Sequence, residues 1–161
     1  MKIWIAGMAG AGVLMAAGAA MAQDAAPAPA ATPAAPAGPQ WGTFSYDDAR
    51  IFLAEPNGVT RDGDTARIQV ARIKRGQDTG DFSHTLDVFE IRCDAKQSRV
   101  VTSTDVEADG ESGDAYPTDE PFADIRDGAF DDTIRRIACG ETQPSGDRYP
   151  TVRAYIEAEN P

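Results

Sequence analysis

The chain has 161 residues, 42% hydrophobic and 25% charged, with 26 Asp and Glu against 15 Lys and Arg and a formal net charge of −11. Such an acid excess repels nucleic acid and anionic lipid at long range, which sets nucleic-acid binding aside. Only one histidine is present, and hydrolase triads and zinc sites both lean on that residue.

Residues 1–22 have the layout of a secretory signal. Lys2 supplies the positive start, Ile3–Ala20 an apolar Ala/Gly/Met-rich core, and Ala20-Met21-Ala22 a small-x-small cleavage site ahead of Gln23. Gly7, Gly10, Gly12 and Gly18 lie within the apolar run and argue against a retained membrane helix. No cysteine follows the run to accept a lipid, and no other stretch is apolar enough to cross a membrane. The expected location is therefore periplasmic or secreted, with no integral membrane segment after cleavage. Residues 23–40 are rich in Ala and Pro, a composition that favours an extended, semi-rigid spacer. The remainder, 41–161, suits one domain.

Trp41–Tyr46 alternates aromatic and small residues and reads as an opening strand. Ala49–Leu53 is a second short apolar run, and Pro56-Asn57-Gly58 carries turn chemistry. Thr65–Lys74 sets Ala66, Ile68 and Val70 against Arg67, Gln69 and Ala71, the period-two pattern of a half-buried strand. Asp62-Gly63-Asp64 before it marks a hairpin. After a break at Gly76–Gly80, Phe82–Cys93 forms the next strand. Its apolar phase shifts between Val88 and Phe89, which signals a β-bulge or burial on two sides. Asp94–Lys96 turns, and Ser98–Val106 returns. Adjacent β-rich runs joined by short polar turns predict an antiparallel meander.

Glu107–Pro121 is acidic and reads as an exposed loop. At Phe130–Ala138 the period changes: Phe130, Ile134 and Ile137 fall on one helical face. Asp131 and Asp132 near its start and Arg135 and Arg136 near its end complement the helix dipole, and Gly140 is a natural stop. Pro144–Pro150 separates this helix from a last one over Thr151–Glu159. The fold class expected is α+β: an antiparallel sheet with a C-terminal helix packed on one face.

Cys93 and Cys139 are the only cysteines. In an oxidising compartment such a pair is bridged, here joining a central strand to the end of the helix. Their spacing is far from the C-x-x-C of redox-active pairs, so the bridge is read as structural.

No catalytic constellation stands out. His84 sits on a predicted strand with no partner visible in the sequence. Asp105, Glu107 and Asp109, followed by Gly110, imitate the opening of a calcium loop. The match fails at its twelfth position, where Tyr116 replaces the bidentate Glu, so these three are weak metal candidates. Ser45, Ser83, Ser98 and Ser103 lie outside any G-x-S-x-G elbow. No cofactor-binding motif is present.

The order of these features resembles the surface-adhesin protein E-like family of small exported bacterial proteins. The resemblance rests on the Trp-led strand Trp41-Gly42-Thr43-Phe44, on the Cys-bearing strand end Phe89-Glu90-Ile91-Arg92-Cys93-Asp94, and on the helix closing with Ile134-Arg135-Arg136-Ile137-Ala138-Cys139. It implies an antiparallel sheet with a helix tied to one face by a disulfide. The family takes its name from an adhesin that binds host matrix and serum proteins and is lipid-anchored, a feature this chain lacks the acceptor for.

The function expected is non-catalytic binding of an envelope or extracellular protein, with Phe82, His84, Phe89 or their neighbours on the open sheet face as the contact surface. A small periplasmic hydrolase using paired carboxylates, and a structural envelope protein with no specific ligand, are the alternatives.

Overall fold

Strand-forming alternation extends through the middle of the chain, and in a computed structural model the result is a single meander with additions at both edges. The structure describes residues 38–159. The expected signal over 1–22 and the spacer over 23–37 lie outside the described residues. The elements in chain order are β1 (Trp41–Tyr46), β2 (Arg50–Asp62), β3 (Thr65–Lys74), β4 (His84–Arg92), β5 (Gln97–Val106), β6 (Tyr116–Pro117), β7 (Ala123–Asp124), α1 (Phe130–Ala138), β8 (Ser145–Tyr149) and α2 (Val152–Glu159). The sheet runs β6-β5-β4-β3-β2-β1-β8, with β7 beside β5, and every pairing is antiparallel. The expected antiparallel sheet is present, accompanied by two short helices.

The register identifies three places where the backbone departs from simple pairing. In β1, Phe44 and Ser45 both stand opposite Phe52, a bulge that sets the Phe44 ring beside Phe52, centroids 6.3 Å apart. Between β4 and β5, Val88 pairs with Thr102 and Phe89 with Val100. The expected irregularity at 88–89 is thus a bulge whose extra residue, Val101, lies on the partner strand. The third departure corrects a turn expected at Pro56-Asn57-Gly58. The chain does not reverse there; β2 runs on, and Pro56–Val59 stand opposite Ile68 alone. The buried Glu55 carboxylate stabilises this detour by accepting from the Asn57 N–H at 3.1 Å and the Gln40 N–H at 3.0 Å. A Cβ at Gly58 would lie 2.0 Å from Glu55 Oε2, so a larger residue there would displace this carboxylate.

The two helices occupy opposite faces. Ala66, Ile68 and Val70 of β3 belong to a core with Ile134, Ile137 and Ala138 of α1. Ala71 and Ile73 belong to another core with Val152, Tyr155 and Ile156 of α2. Pairing with β4 is continuous across Val70 and Ala71, and neighbours on a strand point to opposite faces. Ala71 is therefore buried rather than outward-facing, and of the two expected helices α1 packs on one face while the last, α2, covers the other. Pro144–Pro150 also differs from a plain separator: it contains β8, which extends the sheet beyond β1 through Trp41–Tyr149 and Thr43–Ser145 pairs.

Both helices are fixed by local chemistry. At the start of α1, Asp132 accepts from the Gly128 N–H at 3.0 Å, while Asp131 accepts from Ser98 Oγ on β5 at 2.9 Å. At its end, Gly140 adopts φ +80°. The Glu141 N–H reaches the Arg136 carbonyl at 2.7 Å and the Gly140 N–H that of Ile137 at 3.0 Å, the double closure of a Schellman motif. The Cys93–Cys139 disulfide joins the end of β4 to this terminus with 5.9 Å between Cα atoms, as the cysteine count predicts. For α2, Thr151 Oγ1 caps the Ala154 N–H at 3.0 Å.

Candidate functional site

Because each helix is short, each covers only one end of its face. On the α1 side the buried residues cluster around Ala66, Ile91 and Ile134, while the far ends of the strands carry Arg50 and Phe52 on β2, Arg72 and Lys74 on β3, Asp87 on β4 and Ser103 on β5. Phe52 pairs with Arg72, Arg50 with Lys74, and Asp87 with Ser103. Two adjoining shallow hollows open here, of about 390 Å³ and 620 Å³, with Arg50 and Arg72 lining both; the larger reaches round the strand ends to Ile73, Ser83 and His84.

The smaller hollow has an apolar side made by Phe52, Phe89, Val100 and Phe130. Phe130, the first residue of α1, remains 36% exposed, with its ring 4.7 Å from that of Phe52 and 5.5 Å from that of Phe44. The polar centre is Asp87, which is buried. It accepts from Ser103 Oγ at 2.6 Å and from Arg72 Nη2 at 3.2 Å, and Arg72 Nε lies 2.6 Å from its other oxygen. Thr118 closes the β5 edge by donating its N–H to the Val101 carbonyl at 3.0 Å and its hydroxyl to that of Val100, so the bulge supplies the attachment point for the loop over 107–122. In the larger hollow, Arg50 and Lys74 stand exposed, and neither forms an ion pair among the described residues.

Of the expected contact residues, His84 lines the larger hollow and Phe89 the smaller, while Phe82 stands apart from both. Phe82 and His84 lie on the α2 side: Phe82 packs against the α2 core with the Arg153 guanidinium 3.9 Å above its ring. Phe89 is buried on the α1 side. His84 is half-buried, and its Nδ1 lies 2.7 Å from the Phe82 carbonyl. Burial pulls the imidazole pKa down, against the opposing effect of that hydrogen bond, so the ring is neutral at pH 7.

Of the candidate calcium residues, Asp105 and Asp109 are held in local hydrogen bonds, while Glu107 lines the larger hollow beside Asp105. Asp105 accepts from Thr85 Oγ1 at 3.0 Å and from the Tyr116 hydroxyl at 3.1 Å, and Asp109 accepts from the Glu111 N–H at 2.9 Å. Hydrogen bonding to Asp105, aided by partial desolvation, raises the Tyr116 pKa and keeps it a donor. Among the described residues no group of three or more His, Cys, Asp or Glu side chains is placed to hold a metal.

Among the described residues the buried carboxylates Asp87, Glu90 and Asp132 face arginines, while buried Glu55 accepts from backbone N–H groups. Besides Asp87, Glu90 on β4 lies between Arg67 and Arg99, and Arg135 lies between Asp132 and Glu141. Burial raises the Glu90 pKa, but the four hydrogen bonds from Arg67 and Arg99 outweigh it and hold the carboxyl below the usual range. Asp132 and Glu141 are likewise held low, the first by the Gly128 N–H and then Arg135, the second by Arg135. A general acid needs the opposite shift.

Arg50, Arg72 and Lys74 went unmarked in the sequence, although Arg72 and Lys74 continue the phase of Ala66, Ile68 and Val70; Ser103 was noted only as a serine outside a nucleophile elbow. The one available signal was the recurrence of cations at every second residue, Arg72 and Lys74, opposite Arg50 across a hairpin. No family model, curated protein or solved structure matches this chain.

Proposed function

We propose that this domain is a non-catalytic binding module of an exported protein, engaging an envelope or extracellular protein partner through the α1-side hollows. The observation that carries the reading is the juxtaposition of an aromatic wall, Phe52 and Phe130, with Arg50 and Lys74, cations that have no ion-pair partner among the described residues. An apolar wall supplies contact area, and cations without internal partners supply charge selection. The partner chemistry that fits is a segment bearing apolar and acidic side chains together. The shallow form of both hollows and the pairing of buried Asp87, Glu90 and Asp132 with arginines favour binding over hydrolysis. The Cys93–Cys139 bridge accords with an oxidising location. The order of Trp-led strand, Cys-bearing strand end and Cys-closed helix accords with kinship to surface-adhesin protein E-like proteins.

The test is capture of envelope proteins by the full chain, compared with Arg50→Glu/Lys74→Glu. A partner retained by the wild type and lost by the double variant, with thermal stability unchanged, supports the reading. Equal retention by both refutes it.

A further inference from the structure

The opposite face has its own uncovered end. The α2 core is built on Leu53, Ala71, Ile73 and the flanking Leu86, and beyond it the same face carries Arg67 on β3, Glu90 and Arg92 on β4, and Arg99 on β5. Arg67 pairs with Glu90, and Glu90 with Arg99, across three neighbouring strands. Glu90 is 6% exposed, whereas the Arg67 and Arg99 side chains are 58% and 35% exposed.

The geometry of the two guanidinium groups is specific. Arg67 spends Nε and Nη2 on Glu90 Oε2, at 2.8 Å and 2.6 Å. Arg99 spends the same pair on Oε1, at 3.0 Å and 2.6 Å. Among the described residues neither Nη1 has an acceptor. Phe122 stacks against Arg99 at 4.5 Å and against Arg92 at 3.8 Å, holding both planes in place. One buried carboxylate thus orients two arginines that still have donors to give. A hollow of about 450 Å³ opens over them, lined by Thr60, Arg61, Asp62 and Thr65 besides the ion pairs.

We propose that this half-face is an oxyanion site taking a phosphate or sulfate group between Arg67 and Arg99. An anion with acceptors spread over a tetrahedron can take donors from both arginines at once, whereas a planar carboxylate is already matched by one fork. The arginines are ordered in advance by Glu90 and Phe122, so little side-chain freedom remains to be lost on binding. The chain's overall acidity does not oppose this at contact, because charges more than about 10 Å apart are largely screened at ordinary salt. The site is separate from the hollow of the proposed function and stands or falls independently of it.

The experiment is titration of the full chain with inorganic phosphate at fixed ionic strength, following the arginine Nε–Hε resonances by NMR, with acetate as comparison and phosphatidic-acid vesicles as a second arm. Saturable shifts confined to Arg67 and Arg99, absent with acetate and at least about tenfold weaker in Arg67→Lys/Arg99→Lys, support the site. The lysine variant keeps the charge and removes the fork, and Arg50→Gln/Lys74→Gln should leave the titration unchanged. Phosphate binding accompanied by vesicle co-sedimentation that the lysine variant abolishes identifies a headgroup as the source; phosphate binding without co-sedimentation identifies the free anion. Non-saturating shifts, shifts at every arginine alike, or equal response to acetate overturn the proposal.

Discussion

Val70 and Ala71 are neighbours in β3, both fully buried, and belong to different hydrophobic cores. Val70 packs beneath α1 and Ala71 beneath α2, so the sheet is the partition between two small cores. Ile134 and Ile156, each buried to 1% exposure or less, sit on the two sides. Each Ile→Ala change is expected to cost about 2–5 kcal/mol. Because no contact is shared across the sheet, the double variant should be additive within about 0.5 kcal/mol. Urea unfolding of the four proteins measures this, and a coupling well above that value would show the cores to be one.

The disulfide closes a loop of 46 residues. In the chain-entropy account its removal costs about 4 kcal/mol, less any native strain. Cys93→Ala/Cys139→Ala should therefore show a lower urea midpoint with the α1 core destabilised first, read by hydrogen exchange at Ile134 and Ile137. Unchanged protection of α1 would place the anchoring of that helix elsewhere.

His84 is held neutral by burial, with its folded pKa below the ordinary histidine value. The unfolded state then binds more protons between the two values, so stability rises with pH through that window and is lost as pH falls below the unfolded value. His84→Gln should flatten the dependence of unfolding free energy between neutral and mildly acidic pH. Persistence of the same slope would assign it to other groups.

Glu90 has its folded pKa depressed, so its contribution is present above the ordinary glutamate value and fades as pH falls through the folded one. Glu90→Gln should cost about 1–3 kcal/mol at neutral pH by weakening the hydrogen bonds of both arginines. It should also shrink the loss of stability in acid. A variant as stable as the parent at neutral pH with the same acid limb would contradict this.

Much of the fold was readable where one physical signal dominated. The alternation over Thr65–Lys74 placed β3 at its observed bounds, the i, i+4, i+7 pattern placed α1, and the two cysteines paired in the one way open to them. What escaped were effects set by tertiary partners. Turn chemistry at Pro56-Asn57-Gly58 is ambiguous between a reversal and a bulge, and the buried Glu55 carboxylate decided it. Ala71 ended an alternation whose phase carried no mark of a second helix. β8, with the sequence Ser-Gly-Asp-Arg-Tyr, has little strand propensity and exists because β1 offers an edge. The candidate surfaces were least legible, because Arg50, Arg67, Arg72 and Arg99 look alike in sequence. Only the register separates those that rim an aromatic hollow from those that grip Glu90.

The binding reading is tested most directly from inside the α1-side hollow. A photo-crosslinking amino acid replaces Phe130 in one chain and Val88, on the other face, in a second, and both are irradiated in the cell that produces them. The account predicts a defined protein adduct from position 130, lost when Arg50→Glu/Lys74→Glu is added, and no such adduct from position 88. No adduct from 130, or the same adduct from both positions, would contradict it.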